Sequence, residues 1–330
     1  MNNIKSYSQG ILEAHHYLLT NYKEVFVFGQ GLWSPWYVGA TMTDLDKVYG
    51  ADRIIDSPVS EVGVTGAAIG ASLCGYKPIV VHPRVDFMIL AIDQIVTQAA
   101  KWSHMFGGQI NPSVTFRGIV NRGGEQGAQH SQALHSWFAH IPGLRVVMPS
   151  TPQDARDLFI ASVLSDDPVM FIDDRWLYDF SEEFSEEIIE LDISKEGPKV
   201  LCEGHDITLV GCSYTTYLCS EAAKQLKTLG ISAEVIDLRV INPIKYDILT
   251  ESVKKTGRLC VVDGSWSNCG LAGEIIAGVT ESVLPQIFKN SPFRITIPEA
   301  PAPTSKVLED IYYIKVEDIV KKVLQIESLK

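Results

Sequence analysis

The sequence has no apolar run of the roughly 18 to 20 residues that a membrane-spanning helix needs, which excludes an integral helical membrane protein. Its start, residues 1–10, lacks the charged-then-apolar layout of a secretory leader, so the expected location is cytoplasmic. Basic charge is scarce. Lys and Arg total 28 against 40 Asp and Glu, a net charge of −12 with no dense basic cluster; gripping a phosphate backbone needs a basic surface, so a general nucleic-acid role is excluded. Cysteine is sparse too. The six are Cys74, Cys202, Cys212, Cys219, Cys260 and Cys269, with no C-x-x-C pair among them, which argues against zinc and iron–sulfur sites and for reduced core thiols. There is no P-loop, no G-x-S-x-G elbow and no H-E-x-x-H. Gly29-Gln30-Gly31 begins a dinucleotide fingerprint that Ser34 leaves incomplete.

What is present is length and alternation. A chain of 330 residues with 46% hydrophobic and 21% charged content suits two layered domains rather than one. Short apolar runs at 25–28, 53–56, 79–82, 114–120, 144–148 and 169–172 read as strands. Helical patterns at 6–21, 44–49, 61–74, 87–102, 132–139 and 154–164 separate them. Strands alternating with helices predict an α/β fold, a parallel sheet covered on both faces. An acidic, weakly patterned stretch follows, read as a linker over 181–198. A second alternation then has strands at 207–212, 233–238, 258–262 and 294–297, helices at 216–229, 246–256 and 271–284, and a closing amphipathic helix at 316–329. The expected division is a first domain over 1–180, the linker, and a second domain over 199–330.

Three residues stand out. Glu61 opens a helix that Ser60 is placed to cap. An acid there is favoured by the helix dipole alone; set between an apolar strand and a helix containing Gly63, Gly66 and Gly70, it also reads as a desolvated carboxylate suited to proton exchange near neutrality. Interior glycines cost roughly 1 kcal/mol each, and three in one helix suggest close approach by another backbone. Phe87 reads as a core aromatic or as a ring that stacks on a flat heterocycle. His130 follows the glycine-rich loop of Gly123, Gly124 and Gly127, where backbone can approach a ligand. Five-residue steps on a helix turn His130, His135 and His140 about 140° apart, which rules out a shared metal face.

These positions fall inside or beside longer strings. Arg53-Ile54-Ile55-Asp56-Ser57-Pro58-Val59-Ser60-Glu61-Val62-Gly63 resembles a segment of the β subunits of thiamine-diphosphate-dependent 2-oxo acid dehydrogenases, the pyruvate dehydrogenase type within the transketolase superfamily. The match continues through Ala91-Ile92-Asp93-Gln94-Ile95, Ala99-Ala100-Lys101, Gly107-Gly108, Ala128-Gln129-His130-Ser131-Gln132 and Pro142-Gly143-Leu144-Arg145-Val146-Val147. Ile236-Asp237-Leu238-Arg239 and Asn242-Pro243 extend it into the second domain. It runs in order along nearly the whole chain.

The resemblance implies a transketolase-type pyrimidine-binding domain followed by a transketolase C-terminal-type domain. It implies thiamine diphosphate as cofactor, with Glu61 as proton partner of the aminopyrimidine, Phe87 stacking on its ring, Leu90 beside it and His130 on the substrate side. It implies a monovalent-cation site, for potassium, at Val114, Ser162, Val163, Ser165 and Asp167, for which a plain helix-end turn is the equal alternative. The superfamily's G-D-G segment is missing, since Val262 precedes Asp263-Gly264. By resemblance the diphosphate and its Mg2+ then fall to a separate α-type subunit in an α2β2 assembly, with a lipoyl acyltransferase as further partner.

Departures from the family bear on specificity. Gln30-Gly31 stand where two acids are usual, which puts proton coupling between paired active sites in question. His82-Pro83-Arg84 replaces an apolar or aromatic stretch, and Leu90 stands where Gln or Glu is common. His82, Arg84 and Arg122 either lie as ordinary surface charge or bring positive charge toward a substrate other than pyruvate. The expected activity is 2-oxo acid decarboxylation with transfer to an acceptor such as lipoamide. The alternatives are a two-subunit carboligase or transketolase-like enzyme, and a non-catalytic partner chain.

Overall fold

The computed structural model describes residues 4–326. It resolves into two compact units, each discontinuous in sequence. One gathers residues up to Arg122, Trp137–Glu196 and Ile241–Pro243; the other gathers Gly123–Ser136, Gly197–Val240 and the chain from Ile244 onward.

The first unit is built on a seven-stranded sheet in the spatial order Val240–Asn242, Arg145–Val147, Val169–Asp174, Thr115–Val120, Lys77–His82, Val25–Gly29, Ile54–Asp56. The pairings from Arg145–Val147 onward are parallel. Thr115–Val120 and Val169–Asp174 are buried along their whole length, as a parallel strand covered on both faces must be. Register places Gly29 beside both Asp56 and Val81. Three strands thus end together at one edge, where ligands bind in open α/β sheets.

Helix Tyr7–Asn21 starts on a reciprocal cap, Ser6 Oγ accepting from Gln9 N–H and Gln9 Oε1 accepting from Ser6 N–H. It packs on helix Pro152–Leu164. The stretch 87–102 is not the single helix its apolar pattern suggests. It runs as an α-turn Val85–Met88, a 3-10 turn Ile89–Ala91, a π-helical stretch Asp93–Ala99 and a helix Ala100–Met105. Part of the acidic stretch is also structured, because Ser181–Glu183 pairs antiparallel with Ile4–Ser6.

The second unit has a five-stranded sheet in the order Phe293–Ile297, Leu259–Trp266, Ile207–Gly211, Ala233–Asp237, Lys199–Cys202. Its last strand, which the sequence pattern does not announce, is antiparallel to its neighbour. Leu209, Leu226, Val235 and Cys260 form its core with Ile319 and Val323 of the closing helix Val316–Leu324. The expected end of that helix, 327–329, lies outside the described residues. No helix among the described residues is long and apolar enough to cross a membrane.

Candidate active site

The first unit carries a cleft of about 280 Å3 at the shared ends of its strands. Gly29 and Gln30, Ser57–Glu61 and Val81–Arg84 supply three of its sides; Tyr37, Val64, Phe87 and Leu90 complete it. The sheet fixes this. Strand Val25–Gly29 ends in a turn at Gly31, which adopts φ +70, a conformation open to glycine at no steric cost. Asp56, ending the neighbouring strand, clamps that turn by accepting from the N–H groups of Gly31 (2.6 Å) and Leu32 (3.2 Å). Ser57-Pro58 then turn the chain into helix Glu61–Ser72, so Glu61 enters the cleft at a helix N-terminus and is half-buried. Ser60 does not cap this helix through its side chain.

Glu61, Phe87 and Leu90 thus meet in one space. Phe87 and Leu90 are 40% and 60% exposed, unusual for apolar side chains with a core within reach, and the short turns at 85–91 hold them at the cleft wall. Apolar walls, one carboxylate and a partly exposed aromatic ring fit a flat heterocycle with a ring nitrogen turned to Glu61. They do not fit a diphosphate with its divalent ion, which needs a set of oxygen ligands. Among the described residues, no group of three or more His, Cys, Asp or Glu is placed to hold a metal. Two of the helix glycines are open on this chain, and at Gly63 a Cβ would meet only the neighbouring Ser60 side chain. A Cβ at Gly70 would meet nothing within 4 Å, and one at Gly66 only Gln94 Cγ at 3.7 Å.

The three basic residues singled out as possible substrate-side charges divide. His82 is buried and shares a hydrogen bond of 3.3 Å between its Nε2 and Thr65 Oγ1, and burial pushes its pKa down to about 4. It is therefore neutral at ordinary pH. Arg122 is committed to buried Asp174 at 2.6 Å. Arg84 lines the cleft itself, its pKa lowered by burial and by the like charge of Arg175.

His82 makes acid sensitivity testable. Burial holds His15 at about 3 as well. Both imidazoles are neutral in the folded chain and protonate near 6.5 when it unfolds, so stability is whole above pH 6.5 and is lost as pH falls from there through about 4. For His82 the loss is on the order of 3 kcal/mol. Urea unfolding between pH 7 and 4.5 should show a steep decline that His82→Gln flattens; an equally steep decline in the variant would show that folded His82 accepts a proton.

His130 lies in the second unit, half-buried in the segment 123–136, with its N–H donating to Gly127 O at 3.4 Å. The expected cation ligands lie around the end of helix Pro152–Leu164. There Val114 O accepts from Val169 N–H at 2.9 Å, Ser162 Oγ donates to Leu158 O at 2.6 Å, and Asp167 N–H donates to Ser165 Oγ at 3.0 Å. A further residue enters this turn: Lys77 Nζ donates to the carbonyls of Leu164 (3.1 Å) and Ser165 (3.2 Å). Sequence reasoning misses Lys77, Thr65, Tyr37 and the role of Asp56. The one signal available was the polar end of an otherwise apolar strand at Asp56. Tyr37 sits in an aromatic loop without periodicity, tied to Gln30 Nε2 at 2.9 Å.

Comparison with known proteins is consistent along the chain. The model of the transketolase pyrimidine-binding domain matches residues 5–180, and that of the transketolase C-terminal domain matches 198–319. The chain is 40% identical over 261 residues to the β subunit of acetoin:2,6-dichlorophenolindophenol oxidoreductase from Cupriavidus necator, covering 79% of this chain and 76% of that one. It is 38% identical over 306 residues to the mitochondrial pyruvate dehydrogenase E1 component subunit beta-1 of Arabidopsis thaliana, covering 90% and 82%. Among solved structures, a split-gene transketolase described as an inactive β4 tetramer superposes with a TM-score of 0.75 at 21% identity, over 98% of this chain and 99% of that one. Transketolase from Campylobacter jejuni gives 0.71 at 15% identity, over 98% and 47%. At those identities the structural likeness speaks for the fold.

Proposed function

The chain belongs to the family of β subunits of thiamine-diphosphate-dependent 2-oxo acid dehydrogenases, and from that premise we propose that it forms the aminopyrimidine-binding half of a heteromeric enzyme that decarboxylates a pyruvate-like 2-oxo acid. The observation that carries this is the convergence of Glu61, Phe87 and Leu90 on one cleft. The acyl unit passes to an acceptor such as lipoamide. The pyrimidine-binding domain is assigned to 1–180, the linker to 181–198 and the C-terminal-type domain to 199–330.

Thiamine diphosphate, when bound, supplies an electron sink for cleaving a bond next to a carbonyl. The chain's own residues bind and orient. Glu61 holds a proton on its carboxyl against a ring nitrogen, Phe87 offers a face for stacking, and Leu90 closes the wall and excludes water. His130 is the substrate-side proton donor and hydrogen-bond partner. An α-type partner brings the diphosphate and Mg2+ site, in an α2β2 assembly served by a lipoyl acyltransferase. Potassium at the carbonyls of Val114, Ser162, Val163, Ser165 and Asp167 belongs to the same reading, in competition with the Lys77 ammonium that already neighbours Ser165. A cytoplasmic setting is part of it too, and the six free cysteines support a reducing compartment.

One observation favours a second reading. The relative at 40% identity is named for acetoin rather than for a 2-oxo acid, so acyloin cleavage competes with decarboxylation as the reaction. Co-purification with an α-type chain, followed by cofactor titration and dye-reduction assays on pyruvate and acetoin, decides between them. CO2 release from pyruvate supports the first reading, and turnover of acetoin alone supports the second. The isolated chain should bind thiamine diphosphate far more weakly than the pair; tight binding by the isolated chain would overturn the split site.

A further inference from the structure

The segment 123–136 carries His130 and forms neither helix nor strand before His135. Gly123, Gly124, Glu125 and Gly127 all sit at φ between +60 and +72; the glycines take this path at no steric cost, whereas Glu125 holds it only where its surroundings impose it. Within the second unit the surroundings are specific. At the entrance, Gly123 N–H donates to the Tyr313 hydroxyl (3.4 Å) and Glu125 N–H to Glu309 Oε1 (2.9 Å). At the exit, His135 Nε2 meets Asp263 Oδ1 at 3.0 Å, and Ser136 Oγ accepts from Leu271 N–H at 3.1 Å. His135 and Asp263 are each 1% exposed.

Asp263 is a hub. Its carboxylate also accepts from the N–H groups of Ser265 (3.0 Å) and Ala272 (3.1 Å), so one side chain joins the loop exit to the end of strand Leu259–Trp266 and the start of helix Leu271–Ser282. A carboxylate only accepts, so His135 carries its hydrogen on Nε2. Its Nδ1 is buried with no hydrogen-bond partner among the described residues. A buried imidazole spending one nitrogen on a carboxylate and leaving the other unused is costly as core packing, where an aliphatic residue would serve.

We propose that the His135–Asp263 pair is a positioning device that fixes the loop bearing His130. The proposal rests on the reading of His130 as the substrate-side histidine, and His135 acts through it without touching substrate. Displacement of a reacting group by about 1 Å can cost about 10²-fold. In the full complex, His135→Ala should therefore lower kcat by about 10²-fold with KM unchanged, and amides of 123–132 should exchange faster with solvent. His135→Gln, whose amide NH2 reaches the Nε2 position, should restore both. If the alanine variant fails to fold, Asp263→Asn, which keeps the volume and loses the charge, carries the same comparison. His130→Ala, measured alongside, separates the two readings. Full turnover and unchanged exchange in His135→Ala beside an impaired His130→Ala overturn the proposal alone; full turnover in His130→Ala overturns the histidine's role and the proposal with it.

Discussion

Replacing Glu61 with alanine in the assembled complex is expected to lower turnover by about 10²- to 10⁴-fold, the usual worth of a positioned proton-transfer group, while leaving the fold intact. The two halves of that expectation have separate grounds. Glu61 is the first residue of its helix, half-buried, and the side chain of the preceding Ser60 makes no cap. Losing a carboxylate there forfeits only a favourable interaction with the helix dipole, about 0.3–1 kcal/mol. The cleft, by contrast, holds no second carboxylate among its lining residues. Glu61→Gln keeps the volume and the hydrogen-bonding reach but cannot exchange a proton, so it should be nearly as inactive as alanine. Glu61→Asp keeps the acid one methylene short and should retain part of the activity. Steady-state turnover beside size-exclusion chromatography of the complex reads both halves. Near-parental turnover in Glu61→Gln would remove proton exchange from the role of this residue, whatever its role in binding.

Glu61 was legible because it sits inside a long matching string, Arg53–Gly63, while Phe87 and Leu90 lie outside the matching strings; the cleft nevertheless gathers all three in its lining. The strands were legible for a physical reason: a parallel strand covered on both faces is mostly apolar, and Thr115–Val120 and Val169–Asp174 are buried along their whole length, with their charged residues Arg117, Asp173 and Asp174 paired in the interior. What stayed hidden was non-local or depended on burial. The strand Ser181–Glu183 exists only because Ile4–Ser6, far away in sequence, pairs with it. The π-helical stretch Asp93–Ala99 leaves the apolar spacing of an ordinary helix nearly unchanged. His82 and Arg122 read as surface charge or as positive charge near a substrate; burial makes the first neutral and Asp174 neutralises the second. His135 looked like one of three evenly spaced histidines, and its partner Asp263 looked like the remnant of a failed cofactor motif. Their meeting across 128 positions leaves no periodic trace.

Arg117→Ala is expected to destabilise the protein by about 3–5 kcal/mol, the cost of stranding a buried charge. Arg117 and Asp173 are both fully buried. They form a two-point pair, Nε to Oδ1 at 3.0 Å and Nη2 to Oδ2 at 2.7 Å. Nη1 of Arg117 donates to Thr41 Oγ1 at 3.0 Å, and the Tyr178 hydroxyl donates to Asp173 Oδ2 at 2.5 Å. Burial first, and the Asp173 charge next, push the Tyr178 phenol well above its ordinary range, so it stays a donor. With the guanidinium gone, Asp173 keeps one hydroxyl donor and no counter-charge. Urea unfolding should show the loss as a lower midpoint at unchanged slope. The effect should extend to the cleft, because Arg117 pairs in register with Val81 on the neighbouring strand and Val81 lines the site; cofactor affinity of the complex should fall with stability. The double variant Arg117→Met with Asp173→Leu distinguishes charge from packing. If stranded charge is the cause, apolar replacement of both partners should recover most of the loss, as it does for buried pairs generally. A double variant as unstable as the single one would place the cost instead in the hydrogen bonds that Thr41 and Tyr178 make to the pair.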